Sequence, residues 1–304
     1  MKTNILFMGS SEYSLFILKN LATRFPITLV ATQPDKQVGR GKKIEPSLIK
    51  NKAGELNIPV TQPNKLAEEP FWEALESSVI DLIIVAAYGK ILPKKLLEFP
   101  KFGCLNVHAS VLPRWRGASP IQAAILNGDQ QTGVTIIKMD EGIDTGPILS
   151  TKSIELLSGE TSETLALKLS KLGSELLIDT LPGYLDGKIK PQPQSDLGAT
   201  YSGLIKKEDG LLDFSQSAGD LEKKIRAYNP WPVCFMEWKK EHLRIYQAKV
   251  SNEKQLNQYQ HGIKNKYPSI GTSSNDLILI EVQPSGKKRI DGKAFLNGAR
   301  NWLN

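Results

Sequence analysis

The stretch Leu105-Asn106-Val107-His108-Ala109-Ser110-Val111-Leu112-Pro113-Arg114-Trp115-Arg116-Gly117, with Asp140-Glu141-Gly142-Ile143-Asp144-Thr145-Gly146 downstream, decides how this chain is read. Residues 103–108 have the texture of the end of a buried strand. Side chains on a strand alternate faces, so Asn106 and His108 point one way and Val107 points the other, into packing. Pro113 stops regular pairing and Gly117 permits a turn. A second apolar run, Thr132 to Met139, breaks at Asp140-Glu141-Gly142 and leaves Asp144 on a loop. In open parallel sheets ligands bind beyond the carboxyl ends of strands, and both segments are expected to deliver their polar residues there.

An amide, an imidazole and a carboxylate suit acyl transfer to an amine. Asn106 can donate to the oxygen that becomes negative under attack, where losing one donor costs about 10²–10³ in rate. Two proton routes stay open. Asp144 can favour a charged His108 that serves as a second donor. Alternatively, neutral His108 or Asp144, the latter directly or through a water, takes the proton of the attacking ammonium. His108 is the only histidine in the first two hundred residues.

Working outward, Asn4–Met8, Ile27–Thr32, Leu56–Val60 and Val79–Ala87 read as strands. Helices are expected over Ser14–Arg24 and 120–128. Alternating strands and helices argue an α/β, doubly wound parallel sheet. Gly9-Ser10-Ser11 is no dinucleotide fingerprint and no phosphate-loop motif occurs, so a nucleotide cofactor has no support. Thr161 to Tyr184 has helical spacing, with Leu165, Leu167, Leu169, Leu172, Leu176 and Leu177 as core and Pro182-Gly183 as its end. Residues 187–205 carry prolines and glutamines and read as an extended linker. After a helix over Gln216–Ala227 come short strands at Val233–Trp238, Leu243–Val250 and Leu277–Val282, a small all-β unit of barrel type. The expected domains are 1–189, a linker 190–208, and 209–304.

Composition narrows the function. The chain has 304 residues, 40% hydrophobic and 23% charged, and no apolar run near the roughly 20 residues of a membrane helix. The opening Met1–Gly9 is a first strand rather than a signal peptide. Cys104 and Cys234 stand alone, which suggests neither a disulfide framework nor a zinc site and fits a reducing cytoplasm. The net charge of +7 is uneven: residues 206–304 hold 17 Lys and Arg against 11 Asp and Glu, whereas residues 1–205 hold 22 against 21. A basic carboxyl-terminal region attracts polyanions.

The central run closely resembles the signature of the methionyl-tRNA formyltransferase family, and the resemblance extends along nearly the full chain. Val85–Pro93 looks like that family's folate-pocket segment. Gln33-Pro34-Asp35 with Gly39–Lys43 looks like its tRNA-contacting loop, and Ile225–Pro232 and Gln283–Arg289 resemble its carboxyl-terminal domain. One departure is Met8-Gly9-Ser10-Ser11-Glu12-Tyr13, where the family shows a Gly-Thr-Pro turn followed by Phe. The resemblance implies a Rossmann-like formyltransferase domain followed by an oligonucleotide-binding-like (OB-like) barrel, with Asn106, His108 and Asp144 as the catalytic trio. It implies 10-formyltetrahydrofolate as donor and methionyl initiator tRNA as acceptor, with no metal, no membrane and a monomer. It assigns folate contact to Tyr88, Gly89, Ile91, Leu92, Ser110, Leu112, Pro113, Met139, Glu141 and Gly142. It assigns tRNA contact to Arg40, Lys42, Lys43, Lys206, Lys207, Lys287, Lys288 and Arg289. Trp115 would stack on a base or ribose, or plug the site. The competing readings are formylation of an amino sugar, hydrolysis of formyl-folate, an inert RNA-binding protein on the same scaffold, and a metal hydrolase, for which one histidine is poor ligation.

Overall fold

Continuous apolar runs with both faces buried make the central strands of the first unit, as in sheets covered by helices on both sides. The computed structural model describes residues 3–38 and 43–303. The first unit comprises 1–120, 131–155 and 166–202, and the second 121–130, 156–165 and 203–304. The first sheet holds Ile5–Gly9 (β1), Ile27–Ala31 (β2), Val60–Thr61 (β3), Leu82–Ala86 (β4), Cys104–His108 (β5), Gln131–Lys138 (β6) and Ile148–Glu155 (β7), in the order β7-β6-β5-β4-β1-β2-β3. From β5 to β3 all pairs are parallel. One face packs Leu6, Met8, Ile83, Val85 and Cys104 against Phe71, Trp72 and Leu75 of the helix Glu69–Ser77. On the other, Val107 of β5 and Val134 of β6 lie against Gly173 of the helix Ser162–Leu185, and the Tyr13 hydroxyl donates to the Val107 carbonyl.

Three details differ from expectation. β6 runs antiparallel to β5, with Leu105 opposite Lys138 and His108 opposite Thr135. The end of β6 therefore lies beside the start of β5, and Asp144 reaches His108 because the loop after Met139 turns back. Leu167 is exposed. It lies two residues from buried Leu165 and Leu169, about 200° round the helix from each. The helix also continues through Pro182 to Leu185. At Ser10–Tyr13 a serine does what the missing proline turn would: Ser11 caps the helix Glu12–Leu21, its hydroxyl accepting from Ser14 N–H while Ser14 Oγ accepts from Ser11 N–H.

The second unit is an antiparallel sheet of Cys234–Trp238 (β8), Glu241–Val250 (β9), His261–Lys264 (β10), Tyr267–Gly271 (β11), Asp276–Gln283 (β12) and Ile290–Asp291 (β13). Its order is β8-β9-β12-β11-β10, with β13 on β12. Leu243 and Ile245 of β9 are buried in alternation. Register shifts before and after Gln247 reset the parity, so that Ala248 turns inward. Leu221 and Ile225 of the helix Ala218–Ala227 are buried, as are Phe295 and Trp302 near the carboxyl end.

Candidate active site

β5 alternates as its sequence requires, so Asn106 and His108 share a face. Asp144 arrives from the loop and joins them. Asn106 Nδ2 donates to Asp144 Oδ1 at 3.0 Å. Gly117 N–H donates to Asp144 Oδ2 at 2.8 Å, and His108 Nδ1 stands 3.5 Å from the same oxygen. The His108 side chain is 5% exposed and that of Asp144 14%, so both hold their geometry with little water around them.

The other ring nitrogen fixes the tautomer. His108 Nε2 is 2.9 Å from the Trp115 carbonyl oxygen, which can only accept, so Nε2 carries the hydrogen. With Nε2 occupied, Nδ1 is the atom left to deal with Asp144. Trp115 presents that carbonyl from the left-handed region, φ +59°, and Asp144 itself sits at φ +53°. Each such residue costs on the order of 1–3 kcal/mol and persists only where its surroundings enforce it. Gly117 has φ +109°, and a Cβ there would fall 2.3 Å from the Ser202 carbonyl oxygen. Only glycine fits beside the carboxylate it serves.

The expected folate residues fall into three places. Met139, Glu141 and Gly142 line an open cleft of about 640 Å³ with Lys94, Leu97 and Lys101. Glu141 is paired there with Lys94 at 2.9 Å. Tyr88 and Leu92 are buried in the apolar cluster on which Met139 and Leu97 pack. The Tyr88 hydroxyl is buried without a partner among the described residues, and burial pushes its pKa up to about 12. Gly89, at φ +79°, follows it, and Ile91 is 84% exposed. Ser110, Leu112 and Pro113 belong to the turn after β5: Ser110 Oγ donates to the Arg114 carbonyl, and Leu112 N–H to Thr135 Oγ1. The cleft takes in three of the ten.

Of the expected RNA contacts, Arg40 and Lys42 lie outside the described residues. Lys43 begins a strand, Lys43–Glu45, paired with Lys36–Val38. Lys206, Lys207, Lys287 and Lys288 are exposed in the second unit. Arg289 is committed within its own unit, to Glu281 and over the Tyr246 ring at 4.2 Å. Among the described residues no group of three His, Cys, Asp or Glu could hold a metal ion, and no helix is long and apolar enough to cross a membrane.

Sequence reasoning missed three contributors. The Trp115 carbonyl and the Gly117 N–H are backbone groups, invisible as residue types. Gln194 lies in the stretch read as linker, yet its Nε2 donates to the Asp144 carbonyl at 2.8 Å and to that of Gly146 at 2.6 Å. As far as Ser202 the stretch belongs to the first unit, where Tyr201–Ser202 pairs with Arg116–Gly117.

The formyl transferase family pattern matches residues 4–181, and the formyl transferase carboxyl-terminal domain pattern matches 204–300. The chain is 42% identical to a methionyl-tRNA formyltransferase of Pseudoalteromonas translucida, covering 98% of this chain and 95% of that one. It is 40% identical to one of Myxococcus xanthus, with the same coverage of each. Among solved structures, WlaRD, a sugar 3N-formyl transferase crystallised in the presence of dTDP and 5-N-formyl-THF, superposes with a TM-score of 0.66. That match has 19% identity and covers 95% of this chain and 100% of that one.

Proposed function

The chain belongs to the methionyl-tRNA formyltransferase family, and on that footing we propose that it transfers the formyl group of 10-formyltetrahydrofolate to the free amino group of methionyl initiator tRNA, for translation initiation. The observation that carries the reading is the convergence of Asn106 and His108 on Asp144 from a separate stretch of chain.

The roles follow from which hydrogens are already committed. An amide nitrogen has two hydrogens. Asp144 takes one from Asn106, and the second is assigned to the carbonyl oxygen as it becomes negative. Asp144 is the carboxylate of the trio and accepts a proton from the attacking ammonium, directly or through a water. His108, its Nε2 hydrogen held by Trp115, stands with Nδ1 beside Asp144 and shares that proton. The ammonium gives up two protons as the new amide forms: the departing folate nitrogen takes one and the other passes to solvent. The trio therefore relays a proton rather than consuming it.

For the folate side we assign Tyr88, Gly89, Ile91, Leu92, Ser110, Leu112, Pro113, Met139, Glu141 and Gly142. Support comes from Tyr88, whose buried hydroxyl meets no partner among the described residues and which shares an apolar cluster with Leu92, on which Met139 packs, since a pteridine needs apolar walls and a few oriented polar groups. For the RNA side we assign Arg40, Lys42 and Lys43, with Lys206, Lys207, Lys287 and Lys288 on phosphates, contacts that position RNA without reading bases. Arg289, exposed beside them and paired with Glu281, is assigned to the same track. The reaction is placed in the cytoplasm, carried by a single chain, and the free buried thiols of Cys104 and Cys234 suit a reducing compartment.

The test supplies 10-formyltetrahydrofolate with methionyl initiator tRNA, charged elongator tRNA, or a free amino sugar. Formylation of the initiator species is expected. Formylation of the sugar alone overturns the reading.

A further inference from the structure

We infer that Gln194, held by the buried guanidinium of Arg116, is a positioning residue that sets Asp144 for formyl transfer; the inference rests on the catalytic reading of Asp144 given above. Arg116 is 1% exposed, an unusual place for an arginine. Its Nε and one terminal nitrogen both donate to Gln194 Oε1, at 3.2 and 3.0 Å. The other terminal nitrogen donates to Asp196 at 2.9 Å and to the Tyr201 hydroxyl at 3.4 Å.

A guanidinium only donates. It therefore forces the glutamine oxygen toward itself and turns the amide nitrogen the other way. That nitrogen meets the carbonyls of Asp144 and Gly146. The loop that carries the carboxylate is thus pinned at its backbone by Gln194, while its carboxylate is pinned by Asn106 and Gly117. Arg116 and Gly117 are adjacent, so one dipeptide governs both ends of Asp144.

Gln194 is itself fixed on either side. Ile148 and Gln192 exchange backbone hydrogen bonds at 2.7 and 2.8 Å, and Thr200 receives the Trp115 and Arg116 N–H groups. Asp140 ties the exposed part of the loop, its Oδ1 accepting from Gly142 N–H and Thr145 Oγ1, whereas the left-handed backbone at Asp144 itself is held by Gln194. Such a backbone clamp supplies what the transfer step needs, a carboxylate held to within a fraction of an ångström.

The decisive variant is Gln194→Glu. It keeps the size and the partner for Arg116 but removes both donors to the loop. A misplacement of about 1 Å costs on the order of 10²-fold, so kcat is expected to fall about 10–100-fold. The Michaelis constants for folate and for tRNA stay within about twofold, because no binding contact is removed. Amide exchange at 144–147 speeds up, while that of β5 does not. In a double-mutant cycle, Q194E adds nothing to Asp144→Ala, since a positioning residue has nothing left to position.

Full kcat in Q194E beside a crippled D144A overturns this inference alone. So does a Q194E loss that multiplies undiminished onto D144A. Wild-type turnover by D144A instead overturns the catalytic reading, and this inference with it. Should Q194E fail to fold, Gln194→Ala takes its place in the same cycle.

Discussion

The two basic or polar regions of this protein are built on opposite terms. Around Asp144 the polar groups are partnered and shielded: the carboxylate accepts from Asn106 and Gly117, the His108 ring meets the Trp115 carbonyl, and at residues 115 and 144 the backbone lies in the left-handed region. In the second unit Lys206, Lys207, Lys287 and Lys288 stand exposed, and Gly286 in the turn before Lys287 has open space where a Cβ would go. The contrast teaches what each task demands. Bond making needs groups fixed before the substrate arrives. Holding a polyanion needs accessible charge, and long side chains do that from many positions.

The contrast breaks most readily at the trio. Asp144→Ala and His108→Ala are each expected to lower kcat by about 10²–10⁴-fold while tRNA affinity, measured by filter binding, stays within about twofold. Near-normal turnover by both would remove the catalytic assignment. Next in size is Gly117→Ala. The backbone atom in the way cannot swing aside as a side chain can, so kcat is expected to fall at least about tenfold. Gly286→Ala also meets a positive φ, +68°, but has open space around it and leaves kcat unchanged. Kinetics of the pair read the comparison directly. The smallest effect belongs to Lys287→Ala with Lys288→Ala, which leaves kcat alone. It weakens tRNA affinity and lowers the slope of log affinity against log salt by about 0.7–0.9 for each phosphate left without its lysine. An unchanged slope would take both lysines off the RNA track.

The legibility of the chain follows the same division. β5, Asn106 and His108 were readable because strand alternation is a property of residue order, and the helix Ser162–Leu185 because leucine spacing is. The direction of β6 was not, since an apolar strand looks the same in either sense. The hairpins at Lys239-Lys240 and Asn265-Lys266 were hidden too. All four residues have positive φ, as tight two-residue turns require, yet none is the glycine that advertises such a turn. Gln194 looked like linker because its value lies in two hydrogen bonds to a loop fifty residues earlier in the chain. The exposed lysines were visible as charge, but charge does not tell which of them face a partner, and the pairing of Arg289 with Glu281 and Tyr246 was not legible at all.

One consequence of the contact between His108 and Trp115 reaches into how such a site drifts over generations. The oxygen that fixes the imidazole hydrogen belongs to the main chain. No codon change at position 115 deletes it, and a scan of substitutions there would report on the indole while leaving the acceptor in place. What a substitution can alter is the left-handed twist that aims the oxygen. A glycine would adopt that twist without strain, whereas a β-branched residue would resist it. Selection at this position therefore acts on backbone shape, and the proton on the ring is heritable only through it.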